Sequence, residues 1–243
     1  MTLLIALWIW STPQVAATPS ASQQGLVQQI ACAPVGLPAP PVKSMVVLGG
    51  YTHGRVMFGP GEAVILGGGQ DVQKGQQYFV RRLVVDGAVK QPKEGALYGV
   101  HTVGWVTVID VKEAMTIATV THACDGILEG DYLEPFVAPV APPSSLAGAP
   151  DYEHAGRILL ADEGRQAGSA GMIMLMDRGL EEGVRAGQVL TIFRETLNGQ
   201  GPIIDVGRGL VLSTSAKSSV VRIDSSRDAV YLGDRVAIHR ITQ

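Results

Sequence analysis

This 243-residue chain is short of charge, of aromatic rings and of cysteine: charged residues make up 17% of it, aromatic residues 5%, and there are two cysteines. Its formal net charge is −3. A protein that holds nucleic acid needs a basic face to neutralise phosphates, so this balance argues against that class. Long hydrophobic runs are missing too. The apolar stretch Leu3–Trp10 is far below the roughly 20 residues that span a bilayer as a helix. What the chain has instead is 46% hydrophobic residues, 30 glycines and 14 prolines. That composition suits a buried core built from many short strands and tight turns.

The apolar run is followed by Ser11, Thr12 and Pro13, then Val15-Ala16-Ala17. This pattern is expected to be a signal peptide over residues 1–17, although no Lys or Arg precedes the run. Residues 18–50 carry almost no charge, are rich in Ala, Pro, Ser and Gln, and are expected to form a flexible lead-in. Cys32 lies in this stretch with Gln29 three residues before it, far from the apolar run, which argues against a lipidated cysteine. The other cysteine is Cys124. An oxidising compartment allows a Cys32–Cys124 disulfide; one buried and one mobile thiol is the other arrangement the spacing permits.

The chain repeats itself. Val103-Gly104 through Gly130-Asp131-Tyr132-Leu133 aligns without a gap on Val206-Gly207 through Gly233-Asp234-Arg235-Val236, over 31 residues at an offset of 103. Upstream, Val72-Gln73-Lys74-Gly75-Gln76 matches Val184-Arg185-Ala186-Gly187-Gln188, and each is followed by an apolar strand ending in arginine, Arg82 or Arg194. Further upstream, Tyr51-Thr52-His53 can be set on Tyr152-Glu153-His154. Four landmarks in one order indicate a duplication. Modules are therefore expected at 51–136 and 152–240, with a Pro-rich linker at 137–151.

Each module reads as five to six short strands. These are expected near Arg55–Phe58, Ala63–Leu66, Gln77–Val85, Trp105–Val111, Met115–Val120 and Tyr132–Phe136. The second set is Arg157–Leu160, Met172–Met176, Val189–Arg194, Ser219–Ile223 and Arg235–Ile241. Single helical turns are expected at Asp71–Lys74 and Glu181–Arg185, and a loop at Asp86–Gly99. The closing Gly-Asp pairs supply a residue tolerant of positive φ and then a carboxylate able to accept backbone N–H bonds. Closure removes unpaired edges, so the expected fold is all-β: two tandem small β-barrel-like modules joined by the Pro-rich linker.

These landmarks resemble the β-rich module that follows LysM domains in bacterial peptidoglycan-binding envelope proteins, which is also similar to the C-terminal part of a flagellar ring-assembly protein. The likeness is carried by Gly183-Val184-x-x-Gly187-Gln188, Val206-Gly207-x-Gly209, Ser219–Ile223 and Leu232-Gly233-Asp234, and by their partners in the first copy. The resemblance implies a periplasmic or secreted envelope protein with an assembly role. No LysM segment is present in the sequence, so peptidoglycan affinity is not carried over with it.

Chemistry-bearing patterns are sparse. Leu66-Gly67-Gly68-Gly69 has no Lys-Ser/Thr after it and reads as a turn rather than a phosphate cradle. Gly168-Ser169-Ala170-Gly171 lacks the spacing of a nucleophile elbow. The alternating Met172, Met174 and Met176 read as core. His122 lies two residues from Cys124, but two groups do not make a metal site. The reading is therefore of a non-enzymatic protein with no catalytic residues, cofactor or metal, acting as a scaffold or adaptor toward envelope proteins. Direct binding of peptidoglycan or polysaccharide is the alternative. Candidate partner or glycan contacts are Trp105, the sole tryptophan beyond the N-terminal segment, and the pairs Tyr51/His53 and Tyr152/His154.

Overall fold

The computed structural model describes residues 21–69, 71–84, 97–112, 115–143, 145, 148–162, 165–196 and 201–240. The expected signal peptide and most of the loop expected at Asp86–Gly99 lie outside them. A helix, α1 (Ala21–Cys32), comes first. It is followed by β1 (Val35–Leu37), β2 (Met45–Gly50), β3 (Met57–Phe58), β4 (Ala63–Gly68), β5 (Gln77–Leu83), β6 (Tyr98–Lys112), β7 (Met115–Ala123), β8 (Ile127–Leu128) and β9 (Tyr132–Pro135). After the Pro-rich segment come β10 (Ala149–Ala161), β11 (Ala167–Gly168), β12 (Ile173–Met176), β13 (Val189–Glu195), β14 (Ile203–Thr214), β15 (Ser219–Ser226), β16 (Val230–Tyr231) and β17 (Arg235–Arg240).

The fold is all-β, as the turn-rich composition suggests. Strands β6-β5-β9-β2-β4-β7 form one ring, closed by the β6–β7 pairing. Strands β14-β13-β17-β10-β12-β15 form a closed barrel in the corresponding order. The gap-free offset of 103 holds in the hydrogen-bond register: Gly104 pairs with Ala123, and Gly207 with Ser226. Even the bulges recur, at Trp105/Val106 and Arg208/Gly209, then at Val108/Asp110 and Val211/Ser213. The Val-Gly pair that opens each repeat has a physical reason. Val103 and Val206 are buried inside the rings. A Cβ on the next residue would run into the His122 carbonyl in one copy and the Ser225 carbonyl in the other, so only glycine fits.

Each ring encloses its own apolar core. Val47, Leu66, Val80, Val106, Val120 and Leu133 fill the first. Ile158, Met176, Ile192, Val211, Ile223 and Val236 fill the second. Met174 and Met176 are fully buried, as their alternation suggests, and Met172 is half-buried at the barrel end.

Two expectations about the start of the first module are corrected. The lead-in, expected to be flexible, contains α1, β1 and β2, and β2 is an integral strand of the first ring. Its apolar run Met45–Leu48 is too short to stand out beside the uncharged residues around it. Consequently the upstream alignment shifts. Val47 donates to and accepts from the Asp131–Gly130 turn, as Ile158 does with the Asp234–Gly233 turn, so Val47, upstream of Tyr51, is the counterpart of Ile158, downstream of His154. Tyr51 and His53 then fall in the loop after β2, whereas Tyr152 and His154 lie within β10. The shared Tyr-x-His spelling does not mark one structural place.

Of the short helical turns, the second is present as a 3-10 turn at Leu180–Glu182. It caps one end of the barrel, donating from Leu180 and Glu181 to the carbonyls of Ser215 and Ala216. Residues 71–74 form a non-helical turn instead. Strand β3 is confined to Met57–Phe58, shorter than the expected Arg55–Phe58.

The two rings are packed together through the lead-in. Leu26, Ile30 and Ala33, with Val84 from the first module, cluster against Leu160, Ile173, Leu175, Leu210, Leu212 and Val220 on the outside of the barrel. Strand β1 extends the first sheet along β6, and Gly36 within it abuts the Leu175 side chain. Among the described residues no helix is long and apolar enough to cross a membrane.

Candidate functional site

The charged residues that recur in both copies come together in one arrangement. In the first ring Arg82 donates from Nε to Asp131 Oδ1 and from an Nη to Oδ2, each at 2.8 Å, and its Nη2 also donates to the Gly126 carbonyl. Asp131 Oδ2 accepts in addition from the Leu128 amide at 2.8 Å. In the second ring Arg194 makes the same fork onto Asp234, at 2.7 and 2.9 Å, and donates to the Ala229 carbonyl, while Asp234 accepts from the Tyr231 amide. Asp125 and Asp228 approach the outer side of the two guanidinium groups. Hydrogen bonds to Asp131 and Asp234 raise the two arginine pKa values above their ordinary range. Planar fork-to-carboxylate geometry accounts for arginine rather than lysine at the strand end. The Gly-Asp pairs therefore act as the sequence suggests, but the arginine that completes each clamp is recognisable only once β5 lies beside β9, and β13 beside β17.

Gly130 and Gly233 enter these turns at φ 86° and 91°, a region that side-chain-bearing residues adopt at a cost. A second duplicated device stands at the Gly-Gln turns. The side-chain carbonyl of Gln76 accepts from the Gln73 amide at 2.8 Å, and that of Gln188 from the Arg185 amide at 2.7 Å. Both devices close chain reversals.

What the copies do not share is concentrated on one outer face of the first ring. Phe79, Trp105, His122 and Phe136 form a ladder of rings across β5, β6, β7 and the residue after β9. Centroids are 6.3 Å apart for Phe79–Trp105, 4.4 Å for Trp105–His122 and 4.5 Å for Phe79–Phe136. At the offsets of the repeat the second barrel carries Thr191, Arg208, Ser225 and His239 in their places. Trp105 is half-buried, with the imidazole stacked on its face. Arg81 lies over the Phe79 ring at 4.5 Å and is largely buried; that burial lowers its pKa, and Glu134 at 3.3 Å opposes the shift.

His122 is the end of this ladder and the beginning of a cleft. Cys32 and Cys124 are joined as a disulfide with Cα atoms 5.6 Å apart, which ties α1 to β7. The Gln28 amide nitrogen lies 3.0 and 3.1 Å from the two imidazole nitrogens of His122. Burial lowers the His122 pKa, favouring the neutral ring. The cleft holds about 540 Å³ and runs between the modules. Gln28, Gln29, Cys32, His122 and Cys124 line one side, and Asp162, Arg165, Met172 and Ile173 the other.

The remaining candidate residues are dispersed. Tyr51 and His53 are exposed in the loop after β2. His154 is exposed and pairs with Asp151 at 3.0 Å. Tyr152 packs edge-on to Phe193. None of the four joins Trp105 or the cleft. The Cys32–Cys124 disulfide is one of the two arrangements that the spacing allows; what sequence reasoning missed is that His122 joins the pair. Its signal was divided between an i, i+4 pair on the helix (Gln28, Cys32) and two residues at the end of β7 and in the bend after it (His122, Cys124).

No family model and no curated protein matches this chain. The duplicated geometry thus has to be interpreted from its own residues.

Proposed function

We propose that this protein is an exported, non-enzymatic cell-envelope scaffold or adaptor of the LysM-associated type, periplasmic or secreted, which binds envelope protein partners. The observation that carries the reading is the way the two rings are held together. A helix bonded to one ring by the disulfide is packed by its apolar side onto the other, giving a two-module body fixed across its joint. A body of this kind holds neighbours at a set spacing, which is what an adaptor needs. The disulfide suits an oxidising compartment. The recurrent ionic groups are taken up by turns, so partner contact falls to loops. Both rings are closed, which leaves the loop residue Val56 and the first residue of β3, Met57, both exposed, as the contact surfaces rather than ring edges.

The ring ladder at Trp105 favours a second reading, binding of peptidoglycan or another polysaccharide, since sugars stack on aromatic faces. The stacking of His122 on that face weighs against it. The two readings separate in one experiment. The full chain is sedimented with purified peptidoglycan sacculi, and in parallel a photo-crosslinking residue is placed at Met57 in cells. Discrete crosslinked envelope proteins with no sacculus binding support the adaptor. Sedimentation with sacculi that soluble glycan fragments compete away, and that Trp105→Ala abolishes, would replace it with the glycan reading.

A further inference from the structure

Cys32, His122 and Cys124 each offer one ligand atom, and the three atoms lie within 4.8 Å of one another. The arrangement comes from two rigid elements crossing. Residues i and i+4 of α1 put Gln28 and Cys32 on one helical face, while His122, near the end of β7, and Cys124, in the bend just after that strand, come to them from the first ring. Four side chains therefore converge from two sides at the wall of an open cleft. While the sulfurs are bonded to each other they are not thiolate donors, and the cluster serves as a crosslink.

From this juxtaposition we propose that reduction of the Cys32–Cys124 disulfide converts the cluster into a binding site for a thiophilic metal ion, with zinc(II) as the representative cation. The ligands are the two thiolates and the His122 imidazole, and the position facing the cleft is left for water. The step balances with a dithiol as reductant. Two electrons and two protons pass to the disulfide, giving two thiols, and the dithiol becomes its own disulfide. Metal binding then releases the two thiol protons. The geometry is compatible: tetrahedral zinc holds sulfur at about 2.3 Å and histidine nitrogen at about 2.0 Å, so the two sulfurs need only separate while their Cα atoms stay near 5.6 Å. The His122 imidazole already lies within 4.8 Å of both sulfurs, so a third ligand is in place without a rearrangement of the backbone. The Gln28 side chain already lies against the imidazole; with its amide turned so that Oε1 accepts the N–H of the metal-bound ring, it supplies the outer support that orients such a histidine.

The second module gives an internal contrast. At the equivalent positions it has Ser225 and Arg227, and no cysteine, so the cluster is an addition to one copy rather than part of the shared scaffold.

The test uses the full chain, reduced with dithiothreitol, freed of reductant without oxygen and titrated with cobalt(II), then with zinc(II). The expected result is one equivalent bound, with a thiolate-to-cobalt charge-transfer band that zinc abolishes, and no such band in the unreduced protein. His122→Ala weakens zinc binding by more than the roughly tenfold typical of losing an outer-shell contact, and Gln28→Ala weakens it by about that tenfold. Cys124→Ser removes the band. Equal binding by oxidised and reduced protein, unchanged affinity in His122→Ala, or loss of the β-sheet circular dichroism on reduction would each overturn the proposal.

Discussion

The two rings have one strand order and one set of bulges but different outer surfaces, and the contrast separates what builds the fold from what was added to it. Everything that recurs is architectural: the core positions, the arginine–aspartate clamp, the glutamine turn and the glycines of positive φ. Everything chemically distinctive occurs once. The ring ladder, the disulfide and His122 belong to the first ring, while at the repeat positions the second presents Thr191, Arg208, Ser225 and His239. The ends differ as well. In the second barrel the 3-10 turn at Leu180–Glu182 covers one end. In the first there is a cavity of about 650 Å³, lined by Met45, Val72, Tyr78 and Leu133 among others.

The largest expected way to break the symmetry is to remove the crosslink. Cys32 and Cys124 are 92 residues apart, and closing so long a loop in the unfolded chain is worth roughly 4 kcal/mol in the chain-entropy account. The double variant Cys32→Ser/Cys124→Ser should lose stability of that order in α1 and the first ring, with little change in the second. Hydrogen exchange, read separately on β5–β7 and β13–β15, checks it. An equal loss in both rings would mean that the joint through Leu26, Ile30 and Ala33 makes the two modules one cooperative unit.

The clamp should behave oppositely, with matching losses in the two rings. Asp131 and Asp234 are almost fully buried, at 4% and 7% side-chain exposure, while their arginines are 30% exposed. Removing one partner of a fully buried pair costs about 3–5 kcal/mol; partial exposure of the guanidinium lowers that to about 2 kcal/mol. Asp131→Ala and Asp234→Ala should each show such a loss in chemical denaturation. A large loss in only one ring would refute the equivalence that the shared geometry implies.

The legibility of the sequence followed the same division. The correspondence of the copies and the Gly-Asp turns could be read because the 31-residue repeat has no gap; the register and bulges that the copies share emerge only from the strand pairing. The arginine–aspartate clamp was half legible: Arg82 and Arg194, Asp131 and Asp234 stood out singly, but their pairing depends on which strands become neighbours. The first strand was misplaced because Tyr51-x-His53 and Tyr152-x-His154 share a spelling without sharing a place. The lead-in was misjudged because a helix of Gln, Ala and Leu is weakly amphipathic on its own, and its order comes from the disulfide and from the barrel beneath it.

A smaller effect sharpens the comparison at the turns. Gly130 and Gly233 have open space where a Cβ would stand, so alanine there meets no clash and only the left-handed backbone is penalised. Gly130→Ala and Gly233→Ala should each cost about 1 kcal/mol. Near-equal thermal shifts are expected, because the two turns share their φ and their carboxylate cap. A cost several times larger at one site would mean that this turn is held by contacts its counterpart lacks.

The smallest effect is one of pH, and it concerns the second ring's replacement for the first ring's aromatic strip. His239 is half-buried at the position that corresponds to Phe136, and its Nε2 lies 2.9 Å from the Thr191 hydroxyl. Burial lowers its pKa, and the Arg208 charge lowers it further against an opposing backbone contact. A base whose folded pKa lies below its unfolded value binds fewer protons when folded. Its contribution is therefore complete above the unfolded value, near 6.5, and is lost as pH falls from there through the folded pKa. His122 in the first ring is shifted in the same direction by burial, so both rings should weaken over that window. His239→Gln should flatten the pH dependence of stability for β13–β17 and leave the slope for β5–β7 unchanged. That outcome would place one titrating group on each ring; an unchanged slope in β13–β17 would assign the acid sensitivity there to groups other than His239.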